Sequence, residues 1–146
     1  MLTRILVRDD MIKIFKCFGC LLFFCPLLGS AQLTITVSPP KIIGQKSLVK
    51  LAMKNGFASE VESARAVCFL LDGQGKMIGQ STKWVIGQNH IGLEPQAETT
   101  FSFLITNPQS FGTTNLTAKV LFSRVTLEGG EPVDVRQSVS VTASAK

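Results

Sequence analysis

Leu116-Thr117-Ala118-Lys119-Val120-Leu121-Phe122-Ser123-Arg124-Val125-Thr126-Leu127, followed by Glu128-Gly129-Gly130, is the stretch that decides the fold. It is the longest run of strand-forming residues in the chain, and a glycine pair directly after such a run is a two-residue turn signal. Residues 133–141 return across that turn with Val133 and Val135 and then Val139 and Val141. The apolar alternation is interrupted at Gln137, where a bulge would account for the slip.

Working outward from this hairpin, the apolar period is two almost everywhere, as in strands, and hardly anywhere 3.6. Residues 33–37 alternate and stop at Ser38-Pro39-Pro40, because proline has no N–H for a ladder. Residues 48–54 set Val49, Leu51 and Met53 against Lys50, Ala52 and Lys54, and Asn55-Gly56 closes them. Residues 63–71 begin by alternating and end continuously apolar, which predicts a strand covered on both faces. Asp72-Gly73-Gln74-Gly75 then reads as a hairpin turn, with short extended pieces at 76–79 and 81–86 and a loop over 87–95. Residues 99–106 point Phe101, Phe103 and Ile105 inward and break at Asn107-Pro108. About seven strands with turns every eight to twelve residues predict an all-β sandwich or small barrel.

The N-terminal segment has a different character. From Met11, two lysines (Lys13, Lys16) precede an apolar run over 17–28 and then Gly29-Ser30-Ala31, the order of a signal peptide with a small-residue cleavage site. The run is shorter than the roughly 20 residues that span a bilayer. Asp9 and Asp10 sit badly in a basic n-region, so Met11 is the expected start. The expected organisation is a signal peptide over 1–31 and one domain over 32–146, exported to the periplasm or beyond, with no stable membrane anchor after cleavage.

Removing the leader changes the composition. The whole chain has 15 Lys and Arg against 10 Asp and Glu. Arg4, Arg8, Lys13 and Lys16 leave with the leader, as do Asp9 and Asp10, so 11 bases and 8 acids remain for a net charge of +3. These bases are scattered singly, which is not a nucleic-acid footprint. Cys17, Cys20 and Cys25 also leave, and Cys68 alone cannot form an intramolecular disulfide.

Few residues offer chemistry. Cys68 and the single histidine, His90, are the only raw material for a thiol nucleophile and its base, and such a pair needs hydrogen-bond reach and an orienting third group. A buried free thiol is the other account of Cys68. Asp72, Glu128, Glu131 and Asp134 lack the spaced acidic loop of a calcium site and read as turn acids. Trp84 and His90 are the candidate contacts for a ligand or partner, Trp84 because tryptophan combines apolar area with an N–H donor, with core or edge packing as its other account. No cofactor, metal or catalytic residue is expected. The loops 87–95 and 107–114 at the sandwich ends are candidate contact regions.

Lys54-Asn55-Gly56 closing one strand, Phe69-Leu70-Leu71-Asp72 with Gly75-Lys76 at a hairpin, and Leu93-Glu94-Pro95 ahead of the Phe101 strand together resemble small exported bacterial domains with immunoglobulin-like or fibronectin type III-like folds. The resemblance implies an immunoglobulin-like β-sandwich of about seven antiparallel strands and a bacterial source. It carries no catalytic residue and no ligand. The functional expectation is a non-enzymatic binding or adhesion module with a protein or carbohydrate partner. A structural subunit of a surface assembly is the alternative, with 33–37 the one candidate for a donated strand, and a Cys/His enzyme comes last.

Overall fold

The computed structural model describes residues 32–112 and 114–145. The leader reading falls on 1–31, outside the described residues. The described residues form a two-layer all-β sandwich of nine strands.

One sheet is built on β3 (Lys46–Asn55). Its alternation buries Ser47, Val49, Leu51, Met53 and Asn55 and leaves the intervening residues outside. On one side β3 pairs antiparallel with β6 (Glu98–Thr106). On the other it pairs in succession with β2 (Lys41–Ile43) and β1 (Leu33–Val37). Pro39-Pro40 divides those two, and β2 lies beyond the point where the sequence pattern had run out. Buried Leu33, Ile35 and Val37 face the core from β1. This strand lies inside its sheet, between β3 and the final strand β9 (Val139–Ala143). It is neither a free arm nor an edge, which removes 33–37 as a donated strand.

The second sheet runs β5 (Met77–Ile86), β4 (Val61–Leu71), β7 (Thr117–Leu127) and β8 (Glu131–Pro132). The two pieces expected at 76–79 and 81–86 are one strand. Asp72 makes the β4–β5 turn, its Oδ1 accepting from the backbone N–H of Gln74 and Lys76, each at 2.9 Å. Gly129 and Gly130 turn the chain after β7 at φ 80° and 78°, a conformation that disfavours any side chain.

Two expectations are corrected here. Residues 133–141 are not one bulged return strand. β8 is only two residues long, a single helical turn α1 (Val135–Ser138) follows, and β9 then crosses to the other sheet to pair in parallel with β1. The interruption at Gln137 lies in this crossover, and among the described residues the strands are neither seven nor all antiparallel. In addition, β4 is covered on one face only. Ala64, Ala66, Cys68 and Leu70 are buried in the core, whereas Val67, Phe69 and Leu71 lie half-buried on an outer face that no element among the described residues packs against.

The core joins the inner residues of both sheets, with Phe103, Leu33, Ile35, Leu51 and Leu70 among its largest fully buried side chains. At one end of it sits Asn55. Its Nδ2 donates to the carbonyls of Leu93 (2.8 Å) and Ser59 (3.0 Å), and its Oδ1 accepts from the Phe57 N–H at 2.8 Å. The side chain thereby ties the ends of β3 and of the 87–97 connection together.

That connection begins at Gly87, at φ 81°, where an added Cβ would stand 2.5 Å from the Glu62 carbonyl oxygen. Both the backbone angle and the fixed neighbour oppose a side chain. Gly87→Ala is expected to lower stability by about 2 kcal/mol, read as a shifted urea midpoint with an unchanged slope.

Candidate functional site

The register of the four-stranded sheet decides which side chains share its outer face. Directly paired residues point the same way, so Trp84, Arg65 and Arg124 form one row, and Thr82, Val67 and Leu121 the next. Gln80, Phe69 and Lys119 follow, then Met77, Leu71 and Thr117. The centre is apolar and open: Met77 is 53% exposed, Leu121 50% and Trp84 39%. Its ionised side chains, Arg65, Lys119 and Arg124, are all positive. The Arg65 guanidinium carbon lies 5.8 Å from the Trp84 ring centroid, within cation–π range. An apolar stripe with a basic rim is suited to contact rather than to chemistry.

The outer face of the other sheet is polar by comparison. A furrow of about 540 Å³ crosses it between Thr34, Thr36, Ala52 and Thr100. Lys54 and Glu98 close one end as an exposed ion pair at 3.3 Å. It contains no buried polar group aimed at a ligand.

His90 stands apart from the apolar stripe. It is exposed at φ 58° in the tight turn after β5, its N–H bonded to the Gly87 carbonyl at 3.2 Å. A hollow of about 240 Å³ beside it is lined by Val85, Ile86, Ile91, Leu93 and Phe101, and neither Trp84 nor His90 lines it. The structure does not bring these two candidate contacts into one pocket. The loops 87–95 and 107–114 are likewise separated, since they flank opposite ends of β6, about 30 Å of strand.

Cys68 is fully buried on the inner face of β4, and burial pushes its thiol from 9.0 up to about 11. The thiolate needed for nucleophilic attack is disfavoured there. Among the described residues no three His, Cys, Asp or Glu side chains gather as a metal site would require. Asp72 and Asp134 are both engaged locally, Asp134 accepting from the Arg136 N–H at 3.0 Å.

The raised thiol makes a pH prediction. An unfolded chain releases the Cys68 proton near 9, whereas the folded chain holds it until about 11. Between those values the unfolded state binds fewer protons, so stability falls as pH rises. Urea midpoints are expected to be unaffected by this group below pH 9 and to reflect a loss of about 2 to 3 kcal/mol by pH 11. In a Cys68→Ala variant that alkaline component should vanish.

The sequence pointed to Trp84 but missed the face it belongs to. Val67, Phe69 and Leu71 looked like a second buried side, and Met77 and Leu121 carried no signal of their own. Only the pairing register gathers them.

No family model matches this chain, and no curated protein does. Among solved structures it is similar to IrmA from Escherichia coli, with a TM-score of 0.49 and 10% identity over 80% of this chain and 96% of that one. It is also similar to the CARDB domain of a Pyrococcus furiosus protein solved in complex with di-metal ions, with a TM-score of 0.37 and 16% identity over 75% of this chain and 87% of that one. At these scores neither likeness bears on what this chain does.

Proposed function

We infer that the chain is an exported, non-enzymatic binding module of immunoglobulin-like type whose contact surface is the outer face of the four-stranded sheet. The observation that carries this reading is the apolar stripe of Val67, Phe69, Leu71, Met77, Trp84 and Leu121, which no element among the described residues packs against. Its partner is a protein presenting an apolar patch with acidic surroundings. Tryptophan, methionine, phenylalanine and arginine are the residue types enriched at protein interfaces, and a sugar would want more hydrogen-bonding groups than Gln80, Thr82 and Thr117 supply. The immunoglobulin-like reading is supported by the partition of β3 and β6 into one sheet and β4, β5 and β7 into the other. Export is supported by the order of charge, apolar run and small residues before Gln32.

Two measurements test this. Intact mass of the protein recovered from an exporting host should begin at Gln32, and an uncleaved or lipid-modified mass would contradict export. Trp84 is the sole tryptophan, so partner binding should blue-shift its emission and shield it from acrylamide. Unchanged quenching in a saturated complex would move the contact surface elsewhere.

A further inference from the structure

We propose that the outer edge of β7 accepts a strand from a partner, an extended segment that alternates apolar with acidic residues. The proposal concerns the edge of the sheet and does not depend on its outer face being a contact surface.

Three observations converge on this edge. First, β7 pairs with β4 along its length, but on its other side only Thr126 and Leu127 pair with β8. The Val125 carbonyl accepts from Val133 N–H, and residues 117–124 face no strand there among the described residues. Unpaired backbone groups on such an edge are a template for strand addition. Second, β9, which could have covered this edge, crosses to β1 instead and leaves a groove of about 350 Å³ lined by Val120, Leu121, Phe122, Val135, Val139 and Val141, with Arg136 at its lip. Val141 is the register partner of Ile35 and so points inward with it, yet it is 39% exposed while Ile35 is fully buried. The sandwich is open along this side, and a strand's apolar residues would close it over Val141.

Third, the charges select the occupant. Lys119 and Arg124 stand along this edge on the outer face and Arg136 lines the groove, and none of them forms an ion pair among the described residues. A symmetric pairing of two copies centred on Leu121 keeps outward residues opposite outward ones and, because β7 carries an extra residue at Ser123, brings each Lys119 beside the other copy's Arg124, and like charges so placed are destabilising. A segment with glutamate or aspartate at alternate positions meets the same cations favourably and directs its apolar residues into the groove.

The test uses the processed full chain and a nine-residue probe, acetyl-Thr-Val-Glu-Val-Glu-Val-Glu-Val-Thr-amide, with amide hydrogen exchange followed by NMR. The expected result is saturable binding that slows exchange of the outward-facing amides within 117–124. Binding should disappear when alternate peptide nitrogens are N-methylated, which removes ladder donors without touching side chains. A Lys119→Glu/Arg124→Glu variant that melts like the parent should bind at least about tenfold more weakly at low salt, as should a probe with lysine in place of glutamate. Binding that survives N-methylation, or protection confined to β5 or β6, would overturn the proposal. So would concentration-dependent protection of 117–124 in the protein alone, which would assign the groove to a second copy.

Discussion

Asn55→Asp is expected to be the most damaging single-atom exchange in the domain. The side chain is fully buried, and both protons of its amide nitrogen are used, on the Leu93 and Ser59 carbonyls. Aspartate keeps the shape and the acceptor for Phe57 N–H but replaces those two donors with an oxygen. A buried carboxylate would then face two carbonyl oxygens with no cation near, an arrangement that costs about 3 to 5 kcal/mol. Asn55→Ala, which leaves the carbonyls unsatisfied without adding charge, should cost about 1 to 3 kcal/mol. The pH dependence separates the two. Burial raises the new carboxyl above its ordinary range, so the aspartate variant should regain stability as pH falls, at up to about 1.4 kcal/mol per unit. Urea denaturation at pH 5 and pH 7.5 measures both. An aspartate variant as stable as the alanine one, or indifferent to pH, would show that Asn55 does not hold this end of the sandwich.

Met77→Glu/Leu121→Glu should abolish partner binding while leaving the fold intact. Both residues stand about half exposed on the outer face, so neither substitution opens a cavity or buries a charge in the free protein. In a complex, the same carboxylates would be forced into the apolar centre of the interface and desolvated. Residues in such centres cost 2 kcal/mol or more when lost, and about 30-fold in affinity is the least expected for the pair. Thermal melts within a degree or two of the parent would assign the loss to contact. Undiminished binding by a normally folded variant would exclude this face.

The sequence made the strands legible wherever one face is buried and the other wet. The alternation of Leu33, Ile35 and Val37, and of Val49, Leu51 and Met53, named the core residues of β1 and β3 directly. Periodicity identifies residues that share a face, however, and says nothing of what lies over that face. The apolar run 66–71 therefore looked doubly covered, though one side is open to solvent. It is also silent about which neighbour a strand chooses. Val139 and Val141 carry the same pattern beside β7 or beside β1, and the one-turn helix that decides between them is too short to leave a helical period. Asn55-Gly56 was readable as a strand terminator, but the anchoring role of Asn55 depends on Leu93, 38 residues away. Trp84 was nominated by residue type alone, and its surroundings come entirely from the register of β4 with β5 and β7.

The most direct test of the contact surface is a photocrosslinking scan in the native host. A benzophenone side chain is placed in turn at positions 69, 80 and 121 on the outer face of the four-stranded sheet, at 102 on the opposite face, and at 90 and 109 in the end loops. The account predicts one discrete protein adduct, formed from 69, 80 and 121 and absent from the other three. Adducts confined to 90 and 109, or equal at 69 and 102, would contradict it.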